Sequence, residues 1–313
     1  MELDLSVLVP CYNEEQNLPE LYKRLTQICS ATRGRYEIVL VNDGSTDGTW
    51  PMMSEMAAQD RHITSINLSR NYGHQIALTA ALKHCRGKRA LIIDADLQDP
   101  PELLPQMMAL MDQGYDVISG KRIHRKGESW FKKTSASGFY RVLNMLSDVK
   151  IPADTGDFRL INRKVIEALN AMPEAHRFIR GLCALAGFKQ VSLDYTRHAR
   201  FAGKTHYGLH HMIQLAVTAV TGFSVRPLRL TFYFGLLLAA IGALLLVYVL
   251  GSWLMHRTVQ GWTSLAILII TLQSIQFIFL GIIGEYLART FVESKHRPLY
   301  FIDGMVQNGV EVQ

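Results

Sequence analysis

Two stretches near the carboxyl end constrain this chain more than any other feature. Between Arg229 and Arg257, and again between Arg257 and Glu285, lie 27 residues without one Lys, Arg, Asp or Glu. About 20 apolar helical residues cross a hydrocarbon layer roughly 30 Å thick, and 27 measure about 40 Å. Residues 232–254 and 262–284 therefore read as membrane spans. Tyr233, Tyr248, Trp253 and Trp262 fall toward their ends, where amphipathic rings favour the headgroup level. Two helices buried in a water-soluble core would need a larger core than 313 residues supply. The short loop at 256–261 makes the spans a hairpin, with both ends on one side. Arg226, Arg229, Arg289, Lys295 and Arg297 outnumber Arg257 in that loop, which puts the main domain and both termini in the cytoplasm.

Charged residues make up 19%, below the usual roughly 25%, because the deficit is concentrated in these spans. Disorder, collagen and coiled coil are excluded by 49% hydrophobic residues without a matching repeat. Cys11, Cys29, Cys85 and Cys183 form no CxxC or zinc spacing, which fits a reducing compartment. The first ten residues carry two acids and read as a strand rather than a signal peptide.

Ahead of the spans, strands and helices alternate. Short apolar strands are expected at 5–9, 38–41, 63–68 and 90–94, the first ended by Pro10. Helices are expected at 18–29, 49–60 and 75–85; in the first, Leu18, Leu21, Leu25 and Ile28 share a face, and Asn17 with Glu20 resembles a capping box. Further helices are expected at 101–113, 129–146, 165–172 and 178–186, with strands at 117–120, 158–162 and 191–195. Apolar strands between amphipathic helices indicate an α/β fold, its mostly parallel sheet covered on both faces. Ligands then bind at the carboxyl ends of the strands. Residues 207–223 form an amphipathic pattern beside five Lys/Arg and no acid, which reads as an interfacial helix. The expected organisation is a catalytic domain at 1–205, a juxtamembrane helix at 206–228, the two spans at 229–287 and a cytoplasmic tail at 288–313.

Three turns after successive strands carry the chemistry. Asp94-Ala95-Asp96 offers carboxylates at i and i+2, able to share one hard cation on two phosphates. Asp99, followed by Pro100 and Glu102, reads as the cap of the next helix. In Asn42-Asp43-Gly44, Asp43 can accept a hydrogen bond from a base or ribose and Gly44 permits a positive φ, while Asp47 caps the following helix. Pro10-Cys11-Tyr12-Asn13-Glu14 presents polar groups at the same edge. Each alone is an ordinary turn; three after neighbouring parallel strands form one crevice.

PCYNEEQNLPEL, VNDGSTDGT and DADLQDPPE resemble the family-two glycosyltransferases, whose catalytic domain has the Rossmann-like GT-A fold. SRNYGHQIALTAAL, TGDFRLINR and the paired spans resemble, more narrowly, the polyprenyl-phosphate glycosyltransferases, nearest the bactoprenol glucosyltransferases and related to dolichyl-phosphate mannose synthase. QxxRW, the mark of processive polysaccharide synthases in that family, is missing. The resemblance implies that Pro10, Tyr12, Asn13, Glu14 and Asp43 hold the nucleotide of the donor. It implies that Asp94, Asp96 and Gln98 place Mg²⁺ or Mn²⁺ on the diphosphate, and that Arg200, Gly203 and Lys204 close over it. It also suggests a homotetramer.

From Lys121 to Arg141 there are seven basic residues and one acid. Some of that charge is expected to face anionic lipid. A lipid phosphate needs the same charge with directed donors, for which Arg122, Lys133 and Ser135 are the candidates. A nucleic-acid partner is disfavoured, since it leaves the hydrophobic hairpin unexplained. Asp157 in Gly156-Asp157-Phe158-Arg159 is the candidate catalytic carboxylate, beside Asp96; the bland alternative is a salt bridge to Arg159 or another base. The expectation is an enzyme of the bacterial cytoplasmic membrane that moves one sugar, with inversion, from a nucleotide sugar to undecaprenyl phosphate. UDP-glucose is the favoured donor, ahead of aminoarabinose, mannose or N-acetylhexosamine donors. The reading outside enzymology is a membrane scaffold that binds nucleotide or lipid.

Overall fold

A computed structural model describes residues 3–32, 34–123, 155–175, 177–196, 226–254, 261–307 and 309–312. The expected basic helix at 129–146, the juxtamembrane helix at 207–223 and most of the loop at 256–261 lie outside the described residues. The chain divides into two compact units, one holding the sheet and its helices, the other the two long apolar helices.

In the first unit the order is β1 (Leu3–Cys11), α1 (Leu18–Ala31), β2 (Tyr36–Asn42), α2 (Thr49–Gln59), β3 (Ile63–Leu68), α3 (His74–His84) and β4 (Gly87–Ile92). A 3₁₀ turn (Pro101–Leu103), α4 (Leu104–Asp112), β5 (Val117–Arg122), β6 (Thr155–Asn162), α5 (Arg163–Ala171), α6 (Ile179–Leu185) and β7 (Gln190–Tyr195) follow. The second unit contributes α7 (Arg226–Leu254) and α8 (Trp262–Ser294), after which β8 (Ile302–Gln307) and β9 (Val310–Val312) return to the first.

Among the described residues the strands form one sheet in the order β7-β5-β6-β4-β1-β2-β3-β8-β9. Its centre, β4-β1-β2-β3, is parallel, as the near-continuous apolar strands require. The flanks differ from the mostly parallel expectation: β6 runs antiparallel between β4 and β5, and β8 runs antiparallel to β3. The sheet is therefore mixed. Alternate residues of β1 and β2, such as Val7, Val9, Ile38 and Leu40, join the core under α1, α2 and α4. The opposite face, with Leu8, Val39 and Val41 fully buried or nearly so, is covered by α3.

Pro10 does not end β1; the strand runs on to Cys11, opposite Asn42. Leu8 O accepts Ile93 N on the β4 side, and Cys11 O accepts Asp43 N on the β2 side. By alternation the missing N–H of Pro10 falls on the β4 side, beyond the last pairing with that strand. The proposed Asn17 box is also absent: the Asn17 side chain donates to Glu14 Oε2, and no side chain caps α1.

At the opposite, amino end of the strands a buried polar knot ties β1, β2 and β4. Glu37, 2% exposed, accepts from Ser6 Oγ at 2.7 Å and from Arg86 N, Nε and Nη2 at 2.6 to 2.8 Å. Ser6 Oγ in turn accepts Gly87 N at 2.8 Å. Glu37→Ala strands these donors, and a buried unsatisfied group costs roughly 1–3 kcal/mol. The variant is expected to lose about 2 kcal/mol in equilibrium unfolding, with substrate binding at the far edge of the sheet unchanged.

Residues 288–313, expected as a tail, instead finish α8 and then supply β8 and β9. Val306 is buried, and Thr64 to Asn67 pair in register with Gln307 to Gly304. The sequence signal is weak because a strand that contains Asp303 and Gly304 lacks a continuous apolar run.

The second unit keeps its apolar residues outward. Leu244, Val247 and Phe277 are 72%, 69% and 68% exposed, which no water-soluble core helix would tolerate along such a length. Leu228–Leu245 and Thr271–Ser294 are long and apolar enough to cross a membrane. Phe234 and Phe279 meet edge to face at 5.7 Å, joining the two helices. At 33 residues, α8 measures about 50 Å and runs ten residues past its expected end, through an i,i+4 pair of Arg289 with Glu285.

Candidate active site

The strand order reverses direction at β1 and β4: β2 and β3 are added to one side of β1, β4 to the other. The loops leaving β1 and β4 diverge at their carboxyl ends, where open α/β sheets hold ligands.

The loop after β1 is stitched to the loop after β2. Asn13, at φ 55°, donates its N–H to Ser45 Oγ at 2.9 Å, and its side-chain oxygen accepts Thr46 N at 2.9 Å. Glu14 N donates to Thr49 Oγ1 at 2.8 Å, and Glu15 Oε2 accepts Gly48 N at 2.7 Å. Asp47 accepts Thr49 N at 3.0 Å, but it is not the expected cap: the N-cap of α2 is Gly48, and no side chain caps the helix. Tyr12 is left 40% exposed at this edge.

The loop after β2 in turn holds the segment before α3. Asp43 is buried and accepts Tyr72 N at 2.7 Å and Gly73 N at 2.9 Å. Burial raises its pKa, and the two backbone bonds partly offset this. Gly44 has φ +65°; a Cβ there would lie 2.4 Å from Asn71 N, so no other residue fits. This clamp delivers His74 and Gln75, the first residues of α3, to the crevice.

Asp94 lies two residues beyond β4, and His74 Nε2 reaches its Oδ1 at 2.9 Å. Asp96 is 5% exposed, and its Oδ1 accepts Gln98 N at 3.1 Å across a turn in which Leu97 has φ 58°. β6 explains Asp157. It pairs antiparallel to β4 with Ile92 opposite Arg159, and two more residues of that register bring Asp157 opposite Asp94. An antiparallel strand begins at the edge where its parallel neighbour ends, so the first residues of β6 enter the crevice.

Asp157 is surrounded by cations. Arg159 Nη2 and Arg180 Nη2 lie 3.6 and 3.7 Å from Oδ1; His74 Nδ1 lies 3.8 Å from Oδ2, which accepts Gln75 Nε2 at 3.0 Å. Burial works against the carboxylate, yet Arg180, His74 and Arg159 bring its pKa down to about 2. Burial likewise opposes charge on His74, but Asp94, then Asp157 and Asp43, raise it to about 9. Asp94 is lowered against its own burial, chiefly by His74. The centre is thus an alternating lattice of charge: Asp94, His74, Asp157, Arg180.

Arg122, at the end of β5, is the one of the three expected acceptor-phosphate residues that lies among the described residues. Its Nε donates to Tyr195 Oη at 3.2 Å, and Nη2 lies 3.8 Å from Asp99 Oδ2. A Cβ on Gly156 would come within 2.4 Å of Nη2, so that glycine makes room for the guanidinium. Asp99 therefore does not cap the helix after it. It is 1% exposed, accepts the Tyr195 hydroxyl and anchors Arg122. Glu102 binds Arg24 through two bonds of 2.9 and 2.7 Å instead of closing a capping box. Lys133, Ser135, Arg200 and Lys204 lie outside the described residues. Pro10, Tyr12, Asn13, Glu14, Asp43, Asp94, Asp96, Gln98, Arg122 and Asp157 all lie at or beside this one edge of the sheet.

His74, Gln75 and Arg180 were not singled out from sequence. A signal existed for two of them: polar His74 and Gln75 open an otherwise apolar helix directly after Gly73.

Comparison with known proteins places the chain in a class. The family model "Glycosyl transferase family 2" matches residues 6–169, and the chain belongs to this family. It is 42% identical over 301 residues to the uncharacterized glycosyltransferase YkcC of Bacillus subtilis, covering 96% of this chain and 93% of the relative. It is 35% identical over 306 residues to the bactoprenol glucosyl transferase of Shigella phage SfV, covering 96% and 98%. Among solved structures it is similar to glucosyl-3-phosphoglycerate synthase from Mycobacterium tuberculosis in complex with Mn²⁺, UDP-glucose and phosphoglyceric acid. That match has a TM-score of 0.48 and 19% identity, over 70% of this chain and 78% of that one.

Proposed function

We propose that this chain transfers one sugar from a nucleotide-sugar donor to polyprenyl phosphate, inverting the anomeric centre, with UDP-glucose as donor and undecaprenyl phosphate as acceptor. The observation that carries the proposal is the meeting of Asp94 and Asp157 on either side of His74, at 2.9 and 3.8 Å, beside the carboxyl edge where β1 and β4 part. Near full-length similarity to relatives named bactoprenol glucosyl transferase supports the acceptor class. The two long apolar helices give such a lipid a membrane to arrive from.

The chain's own groups divide the work. In this reading Tyr12, Asn13 and Glu14 meet the nucleotide of the donor, and buried Pro10 and Asp43 hold the loops that present them. Among the described residues no three His, Cys, Asp or Glu side chains form a complete cation cage. Two carboxylates at i and i+2 nonetheless fit Mg²⁺ or Mn²⁺, hard ions that keep waters and take further ligands from phosphates. Asp94 and Asp96, with Gln98, would hold such an ion, which when bound neutralises charge on the departing nucleoside diphosphate. Arg122, held rigid by Asp99 and Tyr195, directs donors at the acceptor phosphate, with Lys133 and Ser135 as its partners in that role. The resemblance assigns Arg200 and Lys204 to the diphosphate as further cations. A phosphate monoester is already largely ionised near neutral pH, so little proton removal is needed. Asp157 instead orients the attack and steadies positive charge developing on the sugar.

Donor binding is tested by thermal unfolding of the purified protein against a panel of nucleotide sugars, with and without Mg²⁺. UDP-glucose should stabilise it most, and only with the ion. Stabilisation by none of them would remove the donor half of the proposal.

The pairing of β8 with β3 supports the hairpin reading, since it returns the chain after α8 to the sheet that β1–β7 build. In this reading the positive-inside bias makes the side of that sheet the cytoplasm. All four native cysteines are buried, so single introduced ones report cleanly. A membrane-impermeant thiol reagent should label Gly261→Cys in intact spheroplasts, and Glu311→Cys only after lysis. Labelling of both from outside would refute the hairpin.

A further inference from the structure

Asp157 is surrounded by three cationic side chains, yet only one described group makes a hydrogen bond to it. Arg159 and Arg180 stand 3.6 and 3.7 Å from Oδ1, beyond hydrogen-bonding distance, and that buried oxygen accepts no hydrogen bond among the described residues. Oδ2 accepts Gln75 Nε2 at 3.0 Å. Coulombic attraction is weakly directional; a hydrogen bond fixes an angle. The orientation of the carboxylate therefore depends on Gln75.

Gln75 is itself fixed at its other end. Its Oε1 accepts Ile179 N at 2.8 Å, the first N–H of α6. A backbone N–H can only donate, so the amide oxygen must face Ile179 and the NH₂ must face Asp157. The next residue of α6 is Arg180, whose guanidinium lies 3.7 Å from Asp157 Oδ1. One amide thus joins the start of α3, the start of β6 and the start of α6, and sets both the carboxylate and the cation facing it. Upstream, the Asp43 bonds to Tyr72 and Gly73 fix where α3 begins, so the placement of Gln75 traces back to the loop after β2.

We propose that Gln75 is a positioning residue for the reaction: it fixes the orientation of the Asp157 carboxylate among Arg159, Arg180 and His74, and it acts through Asp157 and not on donor binding. This rests on the reading of Asp157 given above. Gln75→Glu keeps the acceptor for Ile179 but replaces the NH₂ donor with an oxygen that repels Asp157. Gln75→Asn keeps the amide but is one methylene too short to reach both partners. A displacement near 1 Å at a reacting group costs about 100-fold.

The experiment measures steady-state transfer from UDP-glucose to undecaprenyl phosphate by the full-length protein, for Gln75→Glu, Gln75→Asn, Asp157→Asn and each double variant. Donor affinity is read by UDP-glucose titration of the same samples. Both Gln75 variants should lower kcat about 100-fold while donor affinity stays within twofold of the parent. In the Asp157→Asn background either change should cost less than threefold further, because the group it positions is gone. A loss that multiplies in full in the double variants, or one that appears in donor affinity and not in kcat, would overturn the role of Gln75 while leaving Asp157 in place. Parent turnover by Asp157→Asn alone would remove the Asp157 reading and this inference with it. Should Gln75→Glu fail to fold, the Asn variant and its double decide the question alone.

Discussion

Asp96→Asn is expected to lower sugar transfer by about 1000-fold while the protein folds and inserts as the parent does. The two halves of that expectation have separate causes. Asp96 is 5% exposed, and its Oδ1 serves the chain by accepting Gln98 N across a tight turn. Asn retains that oxygen and the shape of the side chain, so the turn survives. What Asn loses is the negative charge. Stabilising charge on a leaving diphosphate through a bound cation is worth several kcal/mol, and each 1.36 kcal/mol is a factor of ten in rate. Turnover with saturating UDP-glucose and Mg²⁺, beside the unfolding temperature of the metal-free protein, checks both. Parent turnover would refute the role assigned to Asp96; a collapsed unfolding temperature would show that its part is structural.

Asp157→Asn should lower kcat by about 100- to 1000-fold, and its pH profile carries more information than the loss itself. Asp157 has a pKa near 2, so it is ionised throughout pH 5 to 9. It therefore cannot produce an acid limb in that range. The acceptor phosphate can, since the second ionisation of a phosphate monoester lies near about 6. The expected result is a lower plateau with the acid limb unmoved. A carboxylate working as a base with a pKa near neutrality would take the limb with it. The stability consequence has a definite sign. A depressed pKa contributes stability above the unfolded value of 3.8, lost as pH falls toward about 2. The parent keeps that contribution at neutral pH; the Asn variant lacks it and leaves Arg159, Arg180 and His74 facing one another without their shared anion.

What could be read from the sequence divides by the range of the interaction. The DAD turn, Gly44 and the two charge-free stretches follow from short-range rules of strand ends, positive φ and bilayer thickness, and they fall where expected. Asp157 stands out by its residue type and its place in a family-like motif; its approach to His74 and Asp94 comes from the antiparallel pairing of β6 with β4, which no local pattern encodes. Asp99 illustrates the limit. Asp-Pro-Pro-Glu is a good cap by local rules, but Tyr195 and Arg122, 96 and 23 residues away in sequence, draw the carboxylate into the interior. Gln75 was hidden because a single polar residue opening a helix has many ordinary explanations until Ile179 and Asp157 are seen on either side of it. β8 carries little local signal because it is defined by its partner β3, more than 230 residues earlier in the chain.

The central claim is that this crevice joins a sugar to a lipid phosphate. Its most direct test is the incubation of purified full-length protein with UDP-[¹⁴C]glucose, undecaprenyl phosphate and Mg²⁺, followed by extraction into organic solvent. The account predicts labelled lipid that releases glucose in mild acid, formed only when the phosphate lipid is present and lost with Asp96→Asn and with Asp157→Asn. Label that never enters the organic phase from any nucleotide sugar, or that enters equally with both variants, would contradict it.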